Sequence, residues 1–346
     1  MTRVAIDLLG GDAGPGVVAD ALAQFLRQST ESDDRGSSPV SLCVVGPQEL
    51  TEQLLAERGV DIHGEHAADI AHANECVPMT ASSQETLAMV RERDDLSSTV
   101  GIDALRDGRA DAFVSIGHTG ATVAASIFGL GRLPGMGRPG LAVELPSGRG
   151  PLVFVDCGAA PFATEHDLIR FACAGIVYAR SLGIAAPRVG LLTIGSERGK
   201  GDRLRKNADA LLESAFAADY VGAVEGHDLV GDCAADVVVV DGFTGNVALK
   251  SMEGALRWSV STMARAYGND GPARELLRTS HFLSGGVLLG VPGAVVVGHG
   301  ASSPIEIIAC IKRAAALHAG GVVDQVRRSL GSFGQLDSRG EPLDAA

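Results

Sequence analysis

Three glycine-containing loops in this sequence carry polar residues of the kind that bind an anion. Residues 10–12 are Gly-Gly-Asp, residues 117–120 are Gly-His-Thr-Gly, and residues 241–246 are Asp-Gly-Phe-Thr-Gly-Asn. Glycine lets backbone N–H groups approach a ligand closely. A helix that begins directly after such a loop adds free N–H groups and the positive end of its dipole. These loops therefore favour a small oxyanion such as phosphate over hydride transfer.

Four side chains in or near such loops add further polar groups: His118, Lys200, Asn246 and His299. A histidine pKa lies close to neutrality, so His299 is a potential proton donor. The alternative for His299 is a histidine that caps the helix after it.

Three aspartates in similar segments, Asp12, Asp156 and Asp241, each have two interpretations. The carboxylate either accepts backbone N–H bonds and orders its own loop, as in an Asx turn, or takes part in the chemistry. We favour the ordering role for all three.

Several common enzyme motifs are absent from the sequence. No Gly-x-Gly-x-x-Gly opens a helix ahead of a ribose-binding acid, and residues 195–201, "GSERGKG", are one residue too short for a P-loop. There is no His-Glu-x-x-His and no Gly-x-Ser-x-Gly. His63, His66 and His72 favour a solvated face over a metal site, and Cys157 favours packing beneath a loop over nucleophilic chemistry. We expect no metal and no cofactor.

A basic segment, residues 196–206, stands out on an otherwise acidic chain. It has two interpretations: a solvated helix, or a docking patch for an acidic partner. The docking residues would be Arg198, Arg203, Arg205 and Lys206.

The elements that position these loops follow one repeated order of strand, glycine-rich loop and helix. The apolar runs are "VAID", "LCVVG", "AFVSI", "LVFVD", "VGLLTI", "VVVV" and "AVVVG". Short valine-rich strands that alternate with helices indicate a mainly parallel sheet covered by helices on both faces. Ligands of open α/β sheets bind beyond the carboxyl ends of the strands, so we expect the loops to form the working surface.

Composition limits the compartment and the partners. The formal net charge of −13 disfavours nucleic acid and anionic lipid. Six scattered cysteines without a Cys-x-x-Cys indicate reduced thiols. The chain begins with a strand rather than a signal peptide, and no apolar run is long enough to span a bilayer. We expect a soluble cytoplasmic protein.

No clear linker divides the chain. We expect one α/β domain over residues 1–330, as a single body or two lobes, and a flexible tail over 331–346. Residues 29–39 are predicted to form a polar surface loop, and residues 267–286 a broken, partly helical excursion.

Six segments, in this order, resemble the bacterial phosphate acyltransferases, the acyl-carrier-protein:phosphate transacylases of phospholipid synthesis. The similarity covers the chain from about residue 3 to about residue 320. The segments are "AIDLLGGDAGP", "GRADAFVSIGHTGA", "GRPGLAVELPSGRGPLVFVDCGA", "PRVGLLTIGSERGKG", "VVVVDGFTGNVALKSMEG" and "GGVLLGVPGAVVVGHGAS".

The resemblance implies a three-layer αβα fold related to phosphotransacetylases and isopropylmalate-dehydrogenase-like proteins, in a homodimer. It implies transfer of a long-chain acyl group from acyl-carrier protein to inorganic phosphate, without a metal or nucleotide. The acyl phosphate would feed glycerol-phosphate acylation, which makes a glycerol-3-phosphate acyltransferase a further potential partner. Whether the protein touches a membrane surface is left open.

For that reaction we expect phosphate itself to attack the thioester. We assign phosphate binding to Gly117, His118, Thr119 and Gly120 with help from Lys200. Asn246 and the Gly245 N–H are candidates for polarising the thioester carbonyl. His299 would donate to phosphate or to the leaving sulfur. The loop formed by Gly10, Gly11 and Asp12, together with Asp156 and Asp241, completes the substrate-binding set.

The chain departs from the family pattern at several loop positions. The family usually has asparagine where this chain has His118, Ala160 and Thr193. These changes bear on rate and substrate preference more than on the fold. Two other functions remain open: a short-chain acyl-CoA phosphotransacylase, and a catalytically weak scaffold that docks lipid-synthesis proteins.

Overall fold

The computed structural model describes residues 1–31, 39–61, 68–197, 199–267, 271 and 285–333. Across these residues, short strands alternate with helices. The strands are β1 (Thr2–Asp7), β2 (Val40–Gly46), β3 (Asp69–His72), β4 (Ala112–Ser115), β5 (Gly140–Ser147), β6 (Gly150–Val155), β7 (Val189–Thr193), β8 (Tyr220–Glu225), β9 (Val237–Val239), β10 (Gly286–Leu289) and β11 (Ala294–Val297). The helices are α1 (Pro15–Glu31), α2 (Gln48–Ala56), α3 (Ser83–Glu92), α4 (Ser97–Arg106), α5 (Thr119–Gly129), α6 (Glu165–Ser181), α7 (Arg203–Phe216), α8 (Gly242–Tyr267), α9 (Pro304–Ala319) and α10 (Val322–Phe333).

One compact unit consists of Met1–Leu133 and Ser284–Gln325. Its described strands lie in the order β3-β2-β1-β4-β11-β10. Neighbours are parallel except for the antiparallel pair β10–β11. Helices α4 and α9 both pack against β1 and β4, and every residue of β4 is buried. A central strand buried in this way needs helices on both faces of its sheet.

A second compact unit consists of Pro134–Leu283 and Val326–Ala346. Its described strands lie in the order β5-β6-β9-β7-β8, parallel except for the pair β5–β6. Helix α6 packs against β6 and β9. A Cβ on Gly175 of α6 would lie 2.6 Å from Val237 Cγ1, so this glycine lets the helix approach the sheet closely.

The structure confirms the predicted fold class, a layered α/β fold with mainly parallel strands. The described residues form two compact units. Whether they act as the one domain predicted over residues 1–330 stays a prediction. Most of the predicted surface loop and of the excursion, and the tail from residue 334 on, lie outside the described residues.

None of the helices in the described ranges has the length and apolar character needed to cross a lipid bilayer. The six cysteines are free, and all except Cys76 are buried.

Candidate active site

In the first unit, the loops that follow β1, β4 and β11 pack directly on one another. A Cβ on Gly10 would lie 2.5 Å from Gly117 Cα, so only glycine permits this approach of two backbones. The Asp12 N–H donates to the Gly300 carbonyl over 2.7 Å. The three strands are parallel neighbours, and their carboxyl ends therefore bring residues 10–12, 117–120 and 299–300 together.

A buried carboxylate beneath these loops, Asp7, was missed by sequence reasoning. It is 1% exposed and accepts from the Leu9 N–H over 3.0 Å and from the Ser115 hydroxyl over 3.2 Å. Ser115 Oγ in turn accepts from the Gly117 N–H over 3.2 Å. Burial raises the pKa of Asp7, and these hydrogen bonds oppose the rise. An acid at the end of the apolar run "VAID" was the available signal.

His118 is the N-cap residue of α5, and its Nδ1 accepts from the Ala121 N–H over 3.3 Å. A neutral histidine with Nδ1 as an acceptor carries its proton on Nε2. The Nε2–H is therefore the donor that this ring can offer to a ligand. The N–H groups of Thr119 and Gly120 belong to the first turn, where N–H groups have no partner within the helix.

His299 lies in the loop between β11 and α9, and its backbone N–H donates to Ser302 Oγ over 3.1 Å. The helix cap is Ser303, which forms a capping box with Glu306. The alternative of a histidine cap is therefore wrong. The role of His299 as a donor stays a prediction.

In the second unit, the Asp156 carboxylate organises the loop after β6. Asp156 is fully buried. One carboxylate oxygen accepts from the N–H groups of Leu141, Gly158 and Ala159, each over 2.9 Å, and the other accepts from Ala160 over 2.6 Å. Burial raises the pKa of Asp156, and the four N–H bonds favour its ionised form. The structure thus gives Asp156 the ordering role.

Backbone hydrogen bonds hold Ala160 in this loop. Besides its N–H bond to Asp156, its carbonyl accepts from the Gly242 N–H over 3.0 Å. These contacts involve only backbone atoms, so they do not depend on the asparagine side chain that the resemblance leads one to expect here.

Asn246 lies on the second turn of α8 and reaches the same loop. Its Nδ2 donates to the Cys157 carbonyl over 3.1 Å. A Cβ on Gly158 would lie 2.8 Å from that nitrogen, so the backbone of the loop packs closely against the Asn246 side chain. Asn246 is itself exposed, and the bond to Cys157 fixes its orientation.

The role predicted for the Gly245 N–H is corrected. This N–H donates to the Asp241 carbonyl over 2.9 Å as an ordinary helical bond, so it is not available to polarise a substrate. The glycine is needed for space instead, since a Cβ there would lie 1.8 Å from the Asp156 carbonyl oxygen.

Asp241 orders the start of α8. Its Oδ1 accepts from the Thr244 N–H over 3.0 Å, and its Oδ2 pairs with Arg205. Burial alone would raise the Asp241 pKa, but the Thr244 bonds and the Arg205 charge overcome it, so the net shift is downward.

Arg205 does not fit its predicted docking role. It is 8% exposed, and its guanidinium also binds Asp202 Oδ2 and Thr244 Oγ1, each over 3.0 Å. Of the other predicted docking residues, Arg203 and Lys206 are exposed at the start of α7, and Arg198 lies outside the described residues.

Lys200 is about half exposed, and its Nζ lies 3.6 Å from Glu197 Oε1. It belongs to the second unit, whereas residues 117–120 belong to the first. The prediction that both bind one phosphate therefore stays a prediction. Within the described ranges, no three His, Cys, Asp or Glu side chains are grouped as a metal would require.

Comparison with known proteins places the chain in a family. Residues 2–277 match the model of a family described as "Fatty acid synthesis protein". The phosphate acyltransferase of Thermus thermophilus is 36% identical, over 96% of this chain and 99% of that protein. That of Thermobifida fusca is also 36% identical, over 97% and 93%.

Solved structures show the same fold at much lower identity. A phosphotransacetylase from Streptococcus pyogenes has a TM-score of 0.60 at 19% identity, over 91% of this chain and 94% of that one. A branched-chain phosphotransacylase from Enterococcus faecalis has a TM-score of 0.54 at 16% identity, over 92% and 99%. These likenesses concern the fold. The sequence matches extend over nearly the whole chain, and by them it belongs to the phosphate acyltransferase family.

Proposed function

We propose that this enzyme transfers a long-chain fatty acyl group from the thioester of acyl-carrier protein to inorganic phosphate, with acyl phosphate as the product. Family membership supports the reaction. The observation that carries the phosphate site is the N-terminus of α5 at the carboxyl end of β4, where the His118 ring caps the first turn through Nδ1.

Phosphate binds at this N-terminus in our proposal. The positive end of the α5 dipole and the N–H groups of Thr119 and Gly120 favour an anion, and His118 Nε2–H adds a side-chain donor. The chain of bonds from the Gly117 N–H through Ser115 to Asp7 holds the loop in place. Such preorganised donors need no rearrangement when charge develops during reaction.

Direct attack by phosphate accounts for the chemistry without an acyl-enzyme. A phosphate oxygen bonds to the thioester carbon, the C–S bond breaks, and the carrier thiolate leaves and takes up a proton. Cys157 is an unsuitable nucleophile because it is 1% exposed, its Sγ contacts the Phe154 carbonyl over 3.3 Å, and burial raises its thiol pKa far above the ordinary value. Asn246 is the side chain that we assign to the thioester carbonyl.

The acyl chain is assigned to exposed apolar side chains in the second unit. Phe162 is 85% exposed after β6, Ile194 is 81% exposed after β7, and Phe243 is 65% exposed after β9. These strands are parallel neighbours, so the three residues follow adjacent strand ends. Large apolar groups left in water at adjacent positions support contact with an apolar ligand.

The finer parts of this proposal concern partners and location. We propose a cytoplasmic homodimer that takes acyl-carrier protein and phosphate as substrates and passes acyl phosphate to a glycerol-3-phosphate acyltransferase. The exposed residues Arg203 and Lys206 support an acidic carrier as the acyl donor.

The test is a rate assay with purified protein, long-chain acyl-carrier protein and phosphate, with hydroxylamine to trap acyl phosphate as hydroxamate. We expect thioester loss that depends on phosphate and matches hydroxamate formation. Short-chain acyl-CoA in place of the carrier substrate tests the phosphotransacylase alternative. Carrier binding without turnover at any acyl length would support the scaffold and contradict the proposal.

A further inference from the structure

Departure of the carrier thiolate is the difficult step of the proposed reaction. A simple alkyl thiol ionises at about pH 8.5, whereas a phosphate group loses its second proton at about pH 6. Phosphate is therefore the weaker base, and a tetrahedral adduct expels phosphate more readily than it expels the thiolate. A cation beside the sulfur would favour breakage of the C–S bond instead.

One face of α8 carries three side chains of different chemistry in a row. Phe243 is 65% exposed, and Asn246 and Lys250 are also exposed. Residues three and four positions apart share a helix face, so the row follows the helix axis over about 10 Å. It presents an aromatic ring, an amide and an ammonium, in that order. An acyl thioester presents an apolar chain, a carbonyl and a sulfur in the same order.

A buried acid, Glu253, anchors the ammonium at the end of this row. Lys250 Nζ lies 3.1 Å from Glu253 Oε2. Glu253 is only 3% exposed, whereas the Lys250 side chain is 49% exposed. An ammonium has three N–H groups, and the bond to Glu253 uses one of them. The pair therefore holds the ammonium at a defined place while the Lys250 side chain stays within reach of a ligand.

The anchor and Asn246 lie beside the same loop, the one that follows β6. Asn246 Nδ2 donates to the Cys157 carbonyl over 3.1 Å. Burial raises the pKa of the Cys157 thiol, and the nearby charges of Asp156 and Glu253 add to the rise. Asn246 and Glu253, about two turns apart on α8, therefore border one loop. Lys250 lies between them on the helix.

We propose that Lys250 stabilises the leaving thiolate of the acyl donor, with Glu253 as its positioning residue. This inference rests on the proposed function. The thioester lies along α8, with its acyl chain at Phe243, its carbonyl at Asn246 and its sulfur at Lys250. When the C–S bond breaks, the electron pair stays on sulfur beside the ammonium. Lys250 gives a proton to the thiolate and takes one back from solvent.

The alternative role for Lys250 is to compensate the buried charge of Glu253 and nothing more. Removal of one partner of a buried ion pair destabilises a protein strongly, whereas removal of both charges is often tolerated. Lys250→Met and the double variant that adds Glu253→Gln therefore separate the two roles. The measurements are the melting temperature and kcat with long-chain acyl-carrier protein.

We expect the double variant to be more stable than Lys250→Met, because no unpaired charge is left in the interior. We also expect kcat of both variants to stay about a hundredfold below the wild-type value, since neither has a cation at the sulfur. Lys250→Arg, which keeps the charge, should stay within about tenfold of the wild type. Recovery of kcat together with stability in the double variant would overturn the proposal.

A second experiment varies the leaving thiol while the acyl group stays the same. S-acyl-N-acetylcysteamine releases an alkyl thiolate, and the S-phenyl thioester releases an aryl thiolate, a weaker base that needs less stabilisation. Lys250→Met should lower kcat/KM about a hundredfold for the alkyl thioester and less than about tenfold for the phenyl thioester. The matched control is Arg257→Met, an exposed cation about two turns further along α8. Both of its kcat/KM values should match the wild type.

The outcomes separate this role from the proposed function. No acyl phosphate from any thioester with the wild-type enzyme would contradict the function itself. Wild-type turnover with an equal loss for both thioesters in Lys250→Met would overturn the assignment to the sulfur and leave the function intact. The same conclusion follows if the selective loss occurs in His299→Ala and is absent from Lys250→Met, because His299 would then face the sulfur.

Discussion

At the scale of single residues, side chains in the candidate active-site loops either order the loops or are assigned to the substrates. Asp156 and Asp241 accept N–H bonds from their own loops. His118 and Asn246 each use one nitrogen to fix their orientation and keep further polar atoms for a ligand. The sequence allowed the aspartate roles to be predicted, because an aspartate in a turn commonly accepts bonds from backbone N–H groups a few residues on. It did not allow Asp7 or Arg205 to be placed, since Asp7 also bonds to Ser115 and Arg205 to Asp241, which lie far away in the chain.

Asn246→Ala tests the assignment to the thioester carbonyl. Loss of one oriented donor to a developing oxyanion should lower kcat by about a hundredfold. The fold should lose only about 1 kcal/mol, because a single neutral hydrogen bond to the Cys157 carbonyl disappears. Asn207→Ala, on the exposed side of α7, is the control. Equal loss of activity and of thermal stability would assign Asn246 a structural role.

Asp241→Asn tests the buried ion pair with Arg205 through the pH dependence of the free energy of unfolding. The folded-state pKa of Asp241 is lowered, so its contribution to stability is complete above the unfolded value of about 3.9 and is lost as pH falls toward the folded value. At pH 7 the substitution should cost about 3 kcal/mol. In denaturant titrations at pH 2.5 to 7, the wild-type advantage should shrink below about pH 4. An unchanged difference over this range, with Asp219→Asn as the exposed control, would contradict the pairing.

At the scale of elements, the repeated strand–loop–helix order predicted the strands at the centre of each sheet. All seven predicted apolar runs lie on strands, and a helix follows each glycine-rich loop. Among the residues that the structure describes, four strands were missed: β3, β5, β8 and β10. β3 and β8 lie at sheet edges, where half-exposed residues weaken the apolar signal. β5 and β10 form antiparallel pairs, in which no helix has to follow.

Gly10→Ala tests the contact between the loops after β1 and β4. The added Cβ would lie 2.5 Å from Gly117 Cα and N, so the loop that begins α5 must move. Because misplaced donors bind the anion poorly, we expect KM for phosphate to rise at least tenfold. Gly16→Ala on α1, where the nearest atom is the end of the Arg58 side chain at 3.5 Å, should leave this KM unchanged. An unchanged KM in Gly10→Ala would remove this loop from the phosphate site.

At the scale of the whole molecule, the chain combines a net charge of −13 with local cations on α7. The net charge repels an acidic carrier at long range, and a local basic patch is needed to overcome this. The family could be identified from the sequence because several motifs keep their order along the chain. The sequence left one body or two lobes open, and the boundaries of the two compact units could not be predicted, since they follow contacts rather than composition.

Arg203→Glu combined with Lys206→Glu tests the carrier-docking surface. We expect kcat/KM for acyl-carrier protein to fall about tenfold or more and its dependence on salt to weaken. Activity with S-acyl-N-acetylcysteamine provides the comparison, because this donor has no protein surface to recognise. Arg328→Glu on α10 is the matched exposed control. A similar loss with both donors would argue against docking on α7.

The most direct measurement is a crystal structure of the active enzyme soaked in phosphate. We predict an anion at the N-terminus of α5, within hydrogen-bond distance of His118 Nε2 and of the N–H groups of Thr119 and Gly120. Its occupancy should be lost in Gly10→Ala crystals under the same conditions. An empty α5 N-terminus at a phosphate concentration that saturates turnover, or an anion bound only elsewhere, would contradict the account.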